Sequence, residues 1–426
     1  MIEKKQLKAV LDSITKIIIE QIEDTTTASK ATFAGKNLET YNACACGQYI
    51  VKGKKQRGIH GSSAAIRVLG GSRKNEYNNI LIRLINYLLY RDKIDISDDE
   101  LSHTNNFQHD NQNIIKLAEQ LHSIHFVQPG VANTTQILSQ LSKEILDTYD
   151  NRNENGWGYF TNCINKDPEI LASAFAVMAV SVHGDCSRIM KGIGILSKAL
   201  TKSYDNEDTI TDPATFAILV FTLYVFTFKI HANTRENILP DSELKKIFDK
   251  LWNSKFCMLD SHIEQDLDYW NEDDEPFNVR IPWQLHLIAM SAYFDSKKFS
   301  SLKVQKLLKS ICDNIQSPKK EFKYEYSGNH MSTRTLSILY ETFVIIDRNY
   351  NSSSLYKIYI FYDKVKIFLG YSWTRRIVYL LIAVLFAYMW WIHTKNFDHL
   401  LELLAAESIM AIFIAILEVG KKNHTK

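Results

Sequence analysis

Proline is scarce in this chain, seven in 426 residues, and glycine is modest at sixteen. A β-rich protein relies on such residues to reverse direction, and apolar–polar alternation between hairpin turns is nearly missing as well. Charge of one sign is also lacking. Fifty Lys and Arg stand against 48 Asp and Glu, for a net charge of +2. There is no global field to hold a phosphate backbone, and no nucleic-acid partner is expected. Among six cysteines only Cys44 and Cys46 are close. Cys-x-Cys alone is no metal signature, and the thiols read as core residues kept reduced in a cytoplasmic domain. Gly-x-Ser-x-Gly, His-Glu-x-x-His, paired Cys-x-x-Cys and a phosphate loop ending in Gly-Lys-Ser/Thr do not occur. The sequence therefore assigns no catalytic residue, metal site or cofactor.

What is present is helical periodicity almost throughout, so the fold class expected is all-α. Five segments are apolar around most of their circumference and rich in Ala, Ser and Thr: SSAAIRVLGG, PEILASAFAVMAVSV, PATFAILVFTLYVFTF, PWQLHLIAMSAYF and STRTLSILYETFVII. Each opens on Ser, Thr or Pro, several just after Asp, which suits the free N–H groups of a first turn. Helices of this character are buried on more than one side. Between them lie charged amphipathic segments: NEYNNILIRLINYLLYR, NTTQILSQLSKEILDTY, SRIMKGIGILSKALTK, DSELKKIFDKLWN and SLKVQKLLKSICDNI. The start of the chain, rich in scattered charge, reads as an amphipathic helix and not as a signal peptide. A buried helix alternating with a half-exposed one predicts stacked helical hairpins over residues 1–350.

The end of the chain is different. Ile377 to Ile392 holds sixteen residues without a charge, and a second apolar stretch runs from Leu400 to Val419. With Trp390 and Trp391 at an interface and Arg375 and Arg376 snorkelling, the pair reads as a two-span membrane hairpin over 375–420. A linker of interleaved aromatics and lysines, 351–374, would lie along the bilayer surface, and a basic tail, 421–426, would follow. Lysines and arginines flank both outer ends, whereas the turn has one, Lys395. Both termini are then expected in the cytoplasm, with the hairpin in the inner membrane. Glu407 and Glu418 interrupt the second span on nearly one face, which suits an oligomer seam or a pore. Phe216 to Phe228 is too short for a further span and reads as a core helix.

Asn155-Gly156-Trp157-Gly158-Tyr159-Phe160 stands just before the apolar segment at Pro168. Gly58-Ile59-His60-Gly61-Ser62-Ser63 opens another such segment, and Tyr326-Ser327-Gly328 precedes a third. These resemble the glycine-aromatic turns of the terpenoid cyclase and protein prenyltransferase superfamily. The resemblance covers about Gln48 to Asp347. It implies an α/α toroid, an inner ring of helices within an outer one; the alternative is an open α-solenoid. The superfamily's chemistry is not matched. Asn271-Glu272-Asp273-Asp274 lacks the first Asp of the protonating motif, Asp273-Asp274-Glu275-Pro276-Phe277 lacks the last carboxylate of the magnesium motif, and no zinc set is present. The acidic run reads as a solvated loop.

Polar residues on the apolar helices need partners once buried. His60, Arg67, Trp157, Gln284, His286, Arg334 and Glu341 are the candidate pocket residues. Together they would make a site of positive character suited to a phosphate-bearing small molecule. The leading expectation is a membrane-anchored, non-catalytic sensing protein whose helical domain controls a membrane-acting hairpin, as in prokaryotic defence effectors. The alternatives are a cyclase-like enzyme acting on a polyprenyl lipid and a membrane-tethered scaffold for a protein partner.

Overall fold

The computed structural model describes residues 4–29, 39–50, 55, 57–90, 114–127, 134–147, 157, 169–181, 186–205, 210–259, 266–272, 275–316 and 331–350. By contacts the chain divides into two compact units, Met1–Tyr350 and Asn351–Lys426. All the described residues belong to the first. The expected linker and hairpin, with Glu407 and Glu418, lie outside them.

Most of the described residues are helical. In chain order they are α1 (Lys4–Gln21), α2 (Ile59–Ser72), α3 (Asn78–Tyr90), α4 (Ile114–Ile124), α5 (Thr134–Asp147), α6 (Ile170–Val180) and α7 (Cys186–Asp205). Then come α8 (Pro213–Phe228), α9 (Ala232–Ile238), α10 (Asp241–Asn253), α11 (Trp283–Phe294), α12 (Ser296–Phe299), α13 (Leu302–Gln316) and α14 (Thr333–Tyr350). Each of the ten segments singled out by periodicity forms a helix. At α8 the start is set by Asp212, whose carboxylate accepts from Thr215 N at 2.7 Å, with Pro213 in the first turn. No helix among the described residues is long and apolar enough to cross a membrane.

Six helices, α2, α4, α6, α8, α11 and α14, pack each against the next, and α14 returns to α2. Five of them are the apolar segments and the sixth is α4, which carries several polar residues; α6, α8 and α11 are buried along nearly their whole length. The amphipathic helices lie against them: α3 on α2, α5 on α4 and α6, α7 on α6 and α8, and α10 on α8 and α11. The chain's first helix, α1, packs on α13 and α14. It thereby covers the last inner helix from the opposite end of the sequence.

Strands are more numerous than the sequence predicts. Antiparallel pairs form between β1 (Glu23–Ser29) and β2 (Glu39–Ala45), β3 (Tyr49–Ile50) and β6 (Met331–Ser332), and β4 (Asp266–Glu272) and β5 (Glu275–Ile281). The acidic run read as a loop instead builds most of the last pair: Asn271 and Glu272 end β4 and Glu275 to Phe277 begin β5, in register from Asp266 opposite Ile281 to Glu272 opposite Glu275. Asp273 and Asp274 lie outside the described residues. The β3–β6 ladder is short but consequential. With Thr333 N donating to Gln48 O at 2.8 Å and Thr333 Oγ1 to Gly47 O at 2.9 Å, it joins the starts of the first and last inner helices.

The starts of α2 and α6 share one anchor. Cys46 N donates to Ser62 Oγ at 3.1 Å, and Trp157 N donates to Ser173 Oγ at 3.1 Å, across the same separation of sixteen residues. Each serine lies in the first turn of an inner helix and accepts from a backbone N–H sixteen residues before it. Gly61 is what lets the first of these backbone segments pass. A Cβ there would lie 2.2 Å from the carbonyl oxygens of both Cys46 and Gly47. Gly61→Ala is therefore expected to destabilise the domain by about 1–3 kcal/mol. Gly194→Ala, with no atom within 4 Å of the new methyl group, should be neutral or stabilise α7 by up to ~1 kcal/mol. Urea midpoints of the two variants test this, and equal losses would refute the crowding at Gly61.

Candidate functional site

Inside the cycle of helices lies a cavity. Arg67 of α2, Glu119 of α4, Phe175 of α6, Tyr224 of α8, His286 of α11 and Arg334 and Glu341 of α14 line it. All six helices of the cycle thus contribute. Its atom-free space is about 360 Å³ including its mouth, but a water centre can occupy only about 20 Å³. That is room for about one water molecule.

Two carboxylates organise the site. Glu119, 1% exposed, is held by His60 Nδ1 and by Arg334 Nε, whose ion pair with Oε1 measures 2.7 Å. Glu341 takes Lys229 Nζ at 2.8 Å and Tyr224 Oη–H at 3.2 Å on Oε2. Its Oε1 accepts no hydrogen bond but lies 3.7 Å from Arg67 Nη1 and 3.8 Å from His122 Nε2. Arg334 also stands 5.4 Å over the Phe175 ring.

The charges follow from these neighbours. Burial opposes ionisation of Glu119, yet Arg334, His60 and Arg67 hold its carboxyl well below the usual range. Burial likewise opposes ionisation of Glu341, and Lys229, His122 and Arg67 overcome it. Burial works the other way on imidazoles: it brings His286 down to about 3, and, with Lys229 beside it, His122 down to about 4. Tyr224 is pushed well up, by burial and then by Glu341. Three cationic side chains, Arg67, Arg334 and Lys229, thus face the two carboxylates Glu119 and Glu341, an excess of one before His60 on Glu119 is counted.

The excess sits on Arg67. The residue is 5% exposed, and its Nε and Nη2 make no hydrogen bond. His286, 2% exposed, has a partner on neither ring nitrogen. Its ring packs 4.2 Å from Tyr224 and 5.5 Å from Phe221. Buried polar atoms are seldom left so, and each such group costs about 1–3 kcal/mol.

Of the seven residues chosen from sequence, Arg67, His286, Arg334 and Glu341 meet at the cavity. His60 reaches it through Glu119. Gln284 does not line it; its Nε2 donates to Met258 O at 3.1 Å. Trp157 is placed elsewhere, fully buried, with Nε1 donating to Ile145 O at 2.8 Å and its ring against Gly192. Trp157 is thus held by α5, α6 and α7 together. Glu119, His122, Tyr224 and Lys229 were not foreseen. The signal for the first two was faint: in IIKLAEQLHSI they stand three apart, and so on one side of the helix, among the further polar residues Lys116, Gln120 and Ser123. Among the described residues no group of His, Cys, Asp and Glu is placed to hold a metal ion.

Comparison with known proteins yielded no matching family model, curated protein or solved structure.

The two depressed histidines link stability to pH. The unfolded chain takes up protons near 6.5 that the folded protein refuses until about 4 at His122 and about 3 at His286. Stability should be fully present above pH 6.5 and fall as pH drops from there toward 4.5, by up to ~1.4 kcal/mol per pH unit for each histidine. The carboxylates Glu119 and Glu341 add to the loss only below that window. Urea midpoints between pH 7.5 and 4.5 measure the slope. His286→Phe should flatten it by about half, and an unchanged slope would refute the assignment.

Proposed function

We propose that the domain of residues 1–350 is a sensor of the α/α-toroid type, and that it passes the occupancy of its central site to a C-terminal membrane hairpin over 375–420. The ligand is a small anionic molecule. The observation that carries this reading is Arg67, a buried guanidinium in a cavity with its Nε and Nη2 unused. The closed packing cycle supports the toroid, since an open solenoid keeps its first and last helices apart. The cavity's size favours a sensor over an enzyme acting on a polyprenyl chain, which about 20 Å³ cannot take.

The connection to the hairpin is through α14. That helix carries Arg334 and Glu341 into the cavity and ends at Tyr350, the last residue of the first unit. A shift of α14 on ligand binding is then felt directly by the segment leading to the apolar tail. In this reading the tail lies in the inner membrane with both termini cytoplasmic, and Glu407 and Glu418 face a second copy of the hairpin or water.

Full-length protein is expected to fractionate with the membrane and to depolarise cells on expression. Deleting residues 375–426 should abolish both. A truncated chain that depolarises cells as the full chain does, or a full chain that stays in the soluble fraction, would overturn the proposal.

A further inference from the structure

We infer that Arg67 and His286 form a seat for one oxyanion, the carboxylate or phosphoryl end of a small molecule. This rests on the sensing role proposed above and supplies the chemistry of its ligand. Nε and Nη2 are the two donors along one edge of the guanidinium fork, and both lack a hydrogen-bond partner. Their spacing matches two oxygens of a carboxylate or phosphate, which they bind side by side. The third nitrogen, Nη1, is turned toward Glu341, 3.7 Å away. That leaves the free edge for something else.

His286 supplies the complement. It lines the same cavity and its ring is fixed against Tyr224 and Phe221. A neutral imidazole has one N–H to donate and one nitrogen to accept, so it can bind an oxyanion and still accept from a neighbouring hydroxyl on the same ligand. The site's surplus positive charge suits one anionic group. The one-water space beside these residues would hold a single oxygen of that group, and the rest of the molecule would lie in the wider space toward the mouth. A structural role for Arg67 accounts for these facts poorly. Glu341 already has Lys229 and Tyr224 at hydrogen-bonding distance, and a buried cation with idle donors is unfavourable. Binding sites commonly retain such groups at the expense of stability.

The test is thermal melting of the full-length protein at pH 7.5, in inorganic phosphate and in chloride at matched ionic strength. Phosphate should raise the melting temperature of the wild type with increasing concentration, and chloride should not. Arg67→Met should abolish that rise, whatever its melting temperature in chloride. Arg67→Lys, with the charge but not the fork, and His286→Phe should each weaken it. Vesicles containing phosphatidylglycerol form a second arm: a rise seen with them and not with free phosphate, and lost in Arg67→Met, would assign the seat to a lipid headgroup. Identical behaviour in phosphate, chloride and vesicles, or a phosphate response that survives Arg67→Met, would overturn the seat. Membrane association and depolarisation are read separately, so a positive phosphate response with an inert tail would sink only the sensor-to-hairpin reading.

Discussion

Glu119 and Glu341 sit among helices that are apolar on nearly every face, and the rest of the domain's interior is arranged around keeping them ionised. A lone carboxylate there would take up a proton, because burial penalises its charge more than any single neighbour relieves it. Each is instead met from several elements at once. Glu119 joins α4 to α2 through His60 and to α14 through Arg334. Glu341 joins α14 to α8 through Tyr224 and to Lys229 just past its end. Removing one partner from such a pair strands the other, at roughly 3–5 kcal/mol. The network therefore favours one relative placement of the helices over others of similar apolar packing.

That placement explains the helix cycle. Apolar contact alone is tolerant of sliding and rotation. Polar contacts to a buried carboxylate from residues 59, 112 and 117 positions away are not. The β3–β6 ladder and Thr333 add a directional link between the starts of α2 and α14. The outer helices then need only cover the inner ones, for which a single apolar stripe suffices. α1 does so for α14, so the two ends of the domain's sequence are packed together.

The same network leaves a cation over. Arg67 has two idle nitrogens and the neutral His286 has two, whereas Arg334 Nε and Glu341 Oε1, also without a hydrogen bond, each face an opposite charge. Stability alone would favour a smaller, apolar pair in place of Arg67 and His286. Their presence beside a one-water cavity, on helices tied to α14, is what connects the interior of the ring to the proposed sensing role.

Much of this could be read from sequence. Ten helices, the division into buried and half-exposed ones, the all-α character, and Arg67, His286, Arg334 and Glu341 were legible because periodicity, capping and stray polar residues are local properties. Trp157 misled, since an aromatic residue in a glycine turn marks a lock between helices as readily as a pocket wall. α4 went unnoticed because its eleven residues carry no proline or strong cap, and Glu119 and His122 went with it. The strands were missed because a ladder is completed by a distant segment: Tyr49 has no partner until Ser332 arrives. Local preference sets which stretches coil and which faces are apolar, since those depend on neighbours three or four residues away. Only the folded chain decides that six helices meet, that two carboxylates each draw charges from several of them, and that one guanidinium is left over, because electrostatic pairing in a dry interior depends on distances in space that residue order does not encode.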